Sequence, residues 1–285
     1  MSSIVCVIDA CSFINLLAID DNDILYKSVL KNVRIQVCET VLKEINANFK
    51  HKNKLNRDPS SVGIKLGKLR GSCCVYDHEI VATCGDNFFE NVRANTNYQK
   101  QNGEFHSNAL SLYLSQKGNI LLTFLTDDSP AKEEFTPFFA RHQIGNIVST
   151  ADFLLLLFRL DKTLTKIQMR QFLDALYKEY AREVALLLEA LRSTKSDINS
   201  DKKYRKKIPL KKNLNNLISK LDQHDFENIE ELKNKLIGES RLKDILKNYD
   251  QVFHLYRKTE DSYLKQIKQI QGLIEKNRVM RITFE

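Results

Sequence analysis

The sequence predicts an α/β domain built on a parallel sheet flanked by helices, followed by an all-α domain with long amphipathic helices. Three observations carry this. Short apolar runs alternate with helix-period segments through about residue 160, which is the pattern of strand-helix-strand units. Several of those runs are apolar nearly throughout, as strands buried on both faces must be. Beyond Asp161 the strand signal stops and apolar residues recur every three or four positions, the period of one helix face. A chain of 285 residues is long enough for two modest domains with their own cores, and they are expected at 1–160 and 161–285.

In order, Ile4–Ile8 reads as a first strand, Phe13–Ala18 as a short helical turn and Ile24–Leu30 as a helix. Val33–Cys38 is a second strand and Thr40–Phe49 a helix, after which a polar, lysine-rich loop over His51–Ser61, with Pro59, breaks the pattern. Ser72–Tyr76 is a third strand. Asn87–Tyr98 and Glu104–Gln116 read as helices, the second stopping before Gly118 as helices commonly do. Asn119–Thr126 is a nearly continuous apolar strand, Ala131–Arg141 a helix after Pro130, and a short strand near Ile147 precedes a helix through Arg159 with Thr150 as its expected N-cap. The series Met169, Leu173, Leu176, Tyr180, Val184, Leu187, Leu191 predicts one long helix, and Arg241–Lys276 a second. These are expected to pack as a helical hairpin or bundle, with shorter helices at Leu214–Leu221 and Ile229–Ile237 between them; coiled-coil dimerisation is the rival. Val279–Phe284 is β-like and suits an edge strand.

Charge separates the halves. Through Leu160 there are 17 basic and 17 acidic residues, and afterwards 27 and 19, so the second half carries the whole net charge of +8. A basic half beside a neutral one suits a polyanionic partner. Its densest part is Ser200–Lys212, with Lys202, Lys203, Arg205, Lys206, Lys207, Lys211 and Lys212. Like charges so close repel, so a mobile nucleic-acid-binding loop is expected, with Tyr204 available to stack on a base; a solvated linker without a ligand is the plainer reading. No apolar run approaches the ~18 residues of a membrane span, and no basic leader precedes the first strand, so a cytoplasmic protein with no membrane partner is expected. The six cysteines lack Cys-x-x-Cys spacing and no two histidines stand at a metal-ligand spacing on one helix, which speaks against a zinc site or disulfide framework.

The acidic residues are placed differently. Asp9 ends the first strand, Glu44 lies early in the helix after the second, Glu104 starts a helix, and Asp127 with Asp128 ends the strand Asn119–Thr126. In an open parallel sheet the carboxyl ends of strands share one rim, where ligands bind. Singly, each acid has a bland reading as a helix cap, an exposed helix residue or a turn. Together they pose an electrostatic problem, since two bare carboxylates about 5 Å apart repel by roughly 3 kcal/mol at an effective dielectric of about 20. No lysine or arginine stands at these strand ends to pair them all. A hard divalent cation such as Mg²⁺ or Mn²⁺ takes oxygen ligands and works beside phosphates, which matches phosphodiester hydrolysis.

These segments resemble the PIN domain nucleases of the type with a Thr-Asp-Asp motif. The similar pieces are "VIDACSFINL", "VCETVLKEI", "GEFHSNALSLYLSQKG" and "LLTFLTDDSPAKEEF", with "IGNIVSTADFLLLLF" as the closing strand and helix. The resemblance covers about residues 1–160 and implies a PIN-like sheet with Asp9, Glu44, Glu104 and Asp127 as catalytic, metal-binding acids and Asp128 as a fifth ligand candidate. Which of Asp127 and Asp128 holds metal is left open. Ser12 and Thr126 would orient the carboxylates by hydrogen bonds, or Ser12 simply caps a helix. His106 is expected to be a surface histidine, with a phosphate contact as its one functional reading. The implied function is that of a metal-dependent endoribonuclease using Mg²⁺ or Mn²⁺, in a toxin-like or defence context. The alternatives are a DNA-directed nuclease and a non-catalytic RNA-binding or assembly module. The helical half matches no known pattern and is expected to supply RNA contacts, or a surface for a second copy or a regulatory protein.

Overall fold

In the computed structural model, residues 4–20, 22–52, 73–96, 98, 100–223, 225–254 and 256–280 are described. Five strands, β1 (Ile4–Ile8), β2 (Val33–Cys38), β3 (Cys74–Val75), β4 (Leu122–Leu125) and β5 (Gly145–Val148), form one sheet in the order β3-β2-β1-β4-β5. Every neighbouring pair is parallel, with Cys6 of β1 beside Ile35 on one side and Thr123 on the other. The chain builds outward from β1 through β2 to β3, then crosses to β4 and continues to β5. Strand order therefore reverses between β1 and β4, and a parallel sheet opens a crevice at its carboxyl rim at such a point.

Helices cover the sheet: α1 (Ala10–Ala18), α2 (Ile24–Asn32), α3 (Glu39–Lys52), α4 (Asp77–Cys84), α5 (Phe88–Ala94), α6 (Gly103–Gly118), α7 (Ser129–His142) and α8 (Thr150–Leu160). Cys6, Val7, Ile8, Phe124 and Leu125 are fully buried, as are Ala109 and Leu110 of α6. This is why the first and fourth strands read as unbroken apolar runs. The fourth is shorter than expected, because Asn119 takes a left-handed conformation (φ 45°) to close α6 and leaves Leu121 exposed. The cap of α8 is Ser149, not Thr150: Ser149 and Asp152 form a reciprocal capping box. Helix α4 has no counterpart among the elements expected from sequence. The expected lysine-rich loop begins inside α3, which runs on through His51 and Lys52, and its remainder, like most of the β-like C-terminal segment, lies outside the described residues.

The chain divides into two compact units, 1–176 with 270–285, and 177–269, a different partition from 160/161. The second unit is all helical: α10 (Arg182–Ser200), a 3₁₀ turn at Lys202–Tyr204, α11 (Ile208–Asp222), α12 (Ile229–Leu236), α13 (Ser240–Asn248) and α14 (Asp250–His254) share a core that includes Leu187, Leu191, Leu217, Leu221, Leu246 and Phe253. Two expectations fail here. The first long helix is two, α9 (Lys166–Tyr180) and α10, separated at Ala181; the second is α13, α14 and α15 (Tyr256–Glu275). The Ser200–Lys212 segment is likewise no loop, because it holds the 3₁₀ turn and the start of α11. Within the first unit, Gln271 donates to Asp174 at 2.7 Å and Arg170 pairs with Glu275 at 3.4 Å, joining the N-terminal part of α9 to the end of α15. Leu173, Ile270 and Ile274, from the expected apolar series, are all buried.

Candidate active site

Asp9 follows β1 directly, at the point of strand-order reversal. Its Oδ1 accepts the Ser12 backbone N–H at 2.7 Å and so caps α1. Its backbone N–H donates to Leu125 at the end of β4 at 3.0 Å, which locks the cap against the neighbouring strand. The side chain is fully buried, and Oδ2 has no hydrogen-bond partner. Burial, followed by the charge of Asp127, pushes the Asp9 carboxyl up to about 7. The Thr126 and Ser12 hydroxyls, with the Ser12 N–H, hold it from rising further, although neither hydroxyl completes a hydrogen bond to Oδ2. The bland reading of Asp9 as a helix cap is therefore correct for one oxygen and leaves the other unexplained.

Asp127, just beyond β4, is clamped. Its Oδ1 accepts the Thr150 N–H at 2.8 Å, and its Oδ2 accepts the Thr150 hydroxyl at 2.6 Å and the Asn15 amide at 3.0 Å. Asp128 caps α7, its Oδ1 accepting from the Ala131 N–H at 2.7 Å, and Thr126 Oγ1 accepts the Asp128 N–H at 3.1 Å. Ser12 therefore meets the Asp9 carboxylate through its backbone N–H, and Thr126 Oγ1 meets the Asp128 N–H rather than a carboxylate.

Glu44 projects from α3 to the start of α6, where it accepts the Gly103 N–H at 2.8 Å. The Glu44 carboxylate occupies the space a side chain at residue 103 would take. A Cβ on Gly103 would collide with Glu44 Oε2 and lie 3.1 Å from Val41 Cγ2. Glu104, next in the chain, is half-buried; burial raises its pKa most, and the charges of Asp128 and Glu44 raise it further. Tyr98 reports the same neighbourhood. Burial pushes its hydroxyl up to about 12, with Glu104, Asp128 and Glu44 adding to the rise. The charge of Asp127 thus acts on Asp9, and those of Glu44 and Asp128 act on Glu104. Among the described residues no lysine or arginine forms an ion pair with any of them. Nor does any group of three His, Cys, Asp or Glu side chains come close enough together, among the described residues, to hold a metal ion.

Several polar residues of this rim are not evident from sequence. Asn15 lies three residues beyond Ser12 on α1, a helical spacing that is available as a signal. Thr150 follows β5 and looks like a cap; its bond to Asp127 depends on β5 lying beside β4. Asp77 starts α4 at the carboxyl end of β3 and meets His106 Nδ1 at 3.2 Å, so His106 faces an acid rather than solvent. Cys6 and Cys38 are buried and held protonated chiefly by that burial.

In the second unit Lys202, Lys203, Arg205, Lys206, Lys207 and Lys212 are exposed and Lys211 half-buried. Lys207 pairs with Glu239 at 2.7 Å, and Arg241 with Asp201 at 2.8 Å. Tyr204 is not available for stacking on a base. It is 1% exposed, donates its hydroxyl to Glu239 at 2.7 Å, and is overlaid by Lys203, Lys207 and Arg241. No helix among the described residues is long and apolar enough to cross a membrane.

Neither a family model, nor a curated protein, nor a solved structure matches this chain.

Proposed function

We propose that this chain is a divalent-metal-dependent nuclease, an endoribonuclease with a PIN-like catalytic unit and a basic helical unit that contacts the RNA backbone. The observation that carries this reading is Asp9. A fully buried carboxylate oxygen without a partner, beside a second carboxylate and without a basic counter-charge, is costly to keep. A cation removes that cost. The donor type suits a hard ion, since Asp9 Oδ2, Glu44, Glu104 and Asp127 or Asp128 offer only oxygen, as Mg²⁺ and Mn²⁺ prefer, although among the described residues no three of them stand close enough together to hold one. When bound, such an ion supplies an acidified water and stabilises the departing oxygen of a phosphodiester.

The chain's own groups do the rest. Thr150 and Asn15 fix the Asp127 carboxylate in one orientation, as outer hydrogen bonds do for ligating carboxylates. Gly103 holds Glu44 by its N–H, and Thr126 holds the Asp127-Asp128 turn. Lys202, Lys203, Arg205, Lys206, Lys207, Lys211 and Lys212 neutralise phosphates without reading sequence.

That no three of these side chains, among the described residues, stand close enough to hold a metal ion favours a second reading, an RNA-binding module without catalysis. The two diverge in one assay. Purified protein is incubated with Mn²⁺ and labelled RNA or DNA, with Asp9→Asn and a chelator as controls. RNA cleavage that the chelator abolishes and Asp9→Asn slows at least about a hundredfold is expected. Equal rates for Asp9→Asn and wild type would refute the metal site, and cleavage of DNA alone would move the substrate to the DNA-directed alternative. RNA binding without cleavage would leave the module reading.

A further inference from the structure

Strand β2 lies between β1 and β3, and an inner strand of a parallel sheet covered on both faces is expected to be apolar throughout. Two of its side chains are not. Arg34 and Gln36 stand two positions apart, so they share one face of the sheet, about 7 Å apart along the strand. Arg34 is in register with Val5 of β1, whereas β3 pairs only with Val37 and Cys38, so among the described residues no strand lies beside Arg34 on that side. Here the structure holds a cavity of about 370 Å³, a size typical of small-molecule sites. Val5, Arg34 and Gln36 of the sheet, Glu79 of α4 and Tyr113 and Lys117 of α6 are among the residues that line it, and none of the five rim acids does.

The polar groups of this cavity do not all satisfy one another. Lys117 donates to the Tyr113 hydroxyl at 2.8 Å and lies within electrostatic reach of Glu79, so those two charges offset each other. The exposed Arg34 guanidinium forms no ion pair among the described residues. Gln36 is 5% exposed; its Nε2 donates to the Ile35 carbonyl at 3.0 Å, and among the described residues its Oε1 accepts no hydrogen bond. Leucine at that position would be buried without the cost of an unmatched amide. A guanidinium is a planar fork of donors that matches the paired oxygens of a carboxylate or phosphate. The cavity thus presents donors for an oxyanion at Arg34 and, one side-chain repeat along the strand, an acceptor for a hydroxyl or amino group. We propose that it binds a small organic anion, with the phosphate or carboxylate on Arg34 and a hydroxyl or amino group on Gln36. This site does not depend on the metal-dependent reading above.

The test is titration calorimetry on the full chain, in chelator, with adenosine monophosphate, malate and adenosine. The first two carry a phosphate or a carboxylate together with hydroxyl or amino donors, and adenosine has the donors without the anion. One of the two anions is expected to bind with a dissociation constant below about 1 mM, which identifies the favoured head group, and adenosine at least about tenfold more weakly than the phosphate it lacks would allow. Arg34→Gln should weaken the anion at least about tenfold, the scale of a hydrogen-bonded charge pair, and Gln36→Leu about three- to tenfold, the scale of a neutral hydrogen bond, with an unchanged or raised urea midpoint. Arg34→Gln, at an exposed position, decides the matter if the leucine variant does not fold. Reversing Lys202 and Lys206 to Glu should leave the affinity unchanged, which separates this cavity from the basic surface of the helical unit. Failure of both anions to bind below about 1 mM, or binding that survives Arg34→Gln, or binding lost with the Lys202 and Lys206 reversal would each overturn the assignment.

Discussion

Asp9→Asn separates the electrostatics of the site from its chemistry, because it changes stability even where no substrate or metal is present. The folded carboxyl titrates near about 7, against 3.8 for the free side chain. Between these values the native state binds a proton that the unfolded state has released, so stability falls as pH rises. At about 1.4 kcal/mol per pH unit, the whole shift amounts to roughly 4 kcal/mol, of which about 3 is lost between pH 5 and pH 8. Asparagine keeps the cap on the Ser12 N–H and cannot ionise. The stability of Asp9→Asn relative to wild type should therefore increase by about 3 kcal/mol from pH 5 to pH 8. Because the chain holds two compact units, a site-resolved readout is used: urea-dependent hydrogen exchange of the β1 amides, in chelator, on both proteins at both pH values. Intrinsic exchange rates, and every titrating group that does not interact with Asp9, cancel in the comparison. A relative change under about 1 kcal/mol would show that Asp9 is not held uncharged by its surroundings, and would remove the argument for a compensating ion. Mn²⁺ added to wild type should stabilise β1 more at pH 8 than at pH 5, since binding must displace the Asp9 proton.

Three further outcomes follow from named contacts. Thr150→Val removes the 2.6 Å bond to Asp127 and is expected to cost about 2 kcal/mol of stability, the usual value for a bond to a charged group, with a lower cleavage rate; chemical denaturation and initial rates measure the two. Gly103→Ala drives its Cβ into Glu44 Oε2, so it should weaken Mn²⁺ binding at least about tenfold, the scale for disturbing what orients a ligand, and a calorimetric titration indistinguishable from wild type would remove Glu44 from the site. Reversing Lys202, Arg205, Lys206 and Lys212 to Glu should lower the log-log salt slope of single-stranded RNA binding by about 0.7 for each phosphate that is no longer neutralised. An unchanged slope in a filter-binding series would take this surface out of the interface.

What could be read from the sequence was whatever is local. An apolar run ending in a carboxylate, as at Ile8-Asp9 or Leu125-Thr126-Asp127, carries both its strand and its rim position in adjacent residues, because parallel strands end on a common side. The clamp on Asp127 does not. Asn15 and Thr150 are 112 and 23 residues away, and they meet Asp127 only because β4 lies between β1 and β5. The same distinction explains the errors. The apolar period runs through Tyr180 and Val184 without interruption, so nothing local marks the break at Ala181: both α9 and α10 present the same spacing to their respective cores. Charge misleads more directly. Counted along the chain, the lysines around Tyr204 repel one another and argue for a solvated loop; in the folded unit Glu239, 35 residues beyond Tyr204, accepts both the Tyr204 hydroxyl and the Lys207 ammonium. Repulsion acts among neighbours in sequence, whereas its compensation comes from anywhere in space, so a run of like charge is weak evidence of disorder until the acids that fold against it are known. Asp9 is the converse case. There the like charges are remote in sequence and adjacent in space, and among the described residues the fold supplies no basic partner, which is why the acidic rim rather than the basic run is where a missing ligand should be sought.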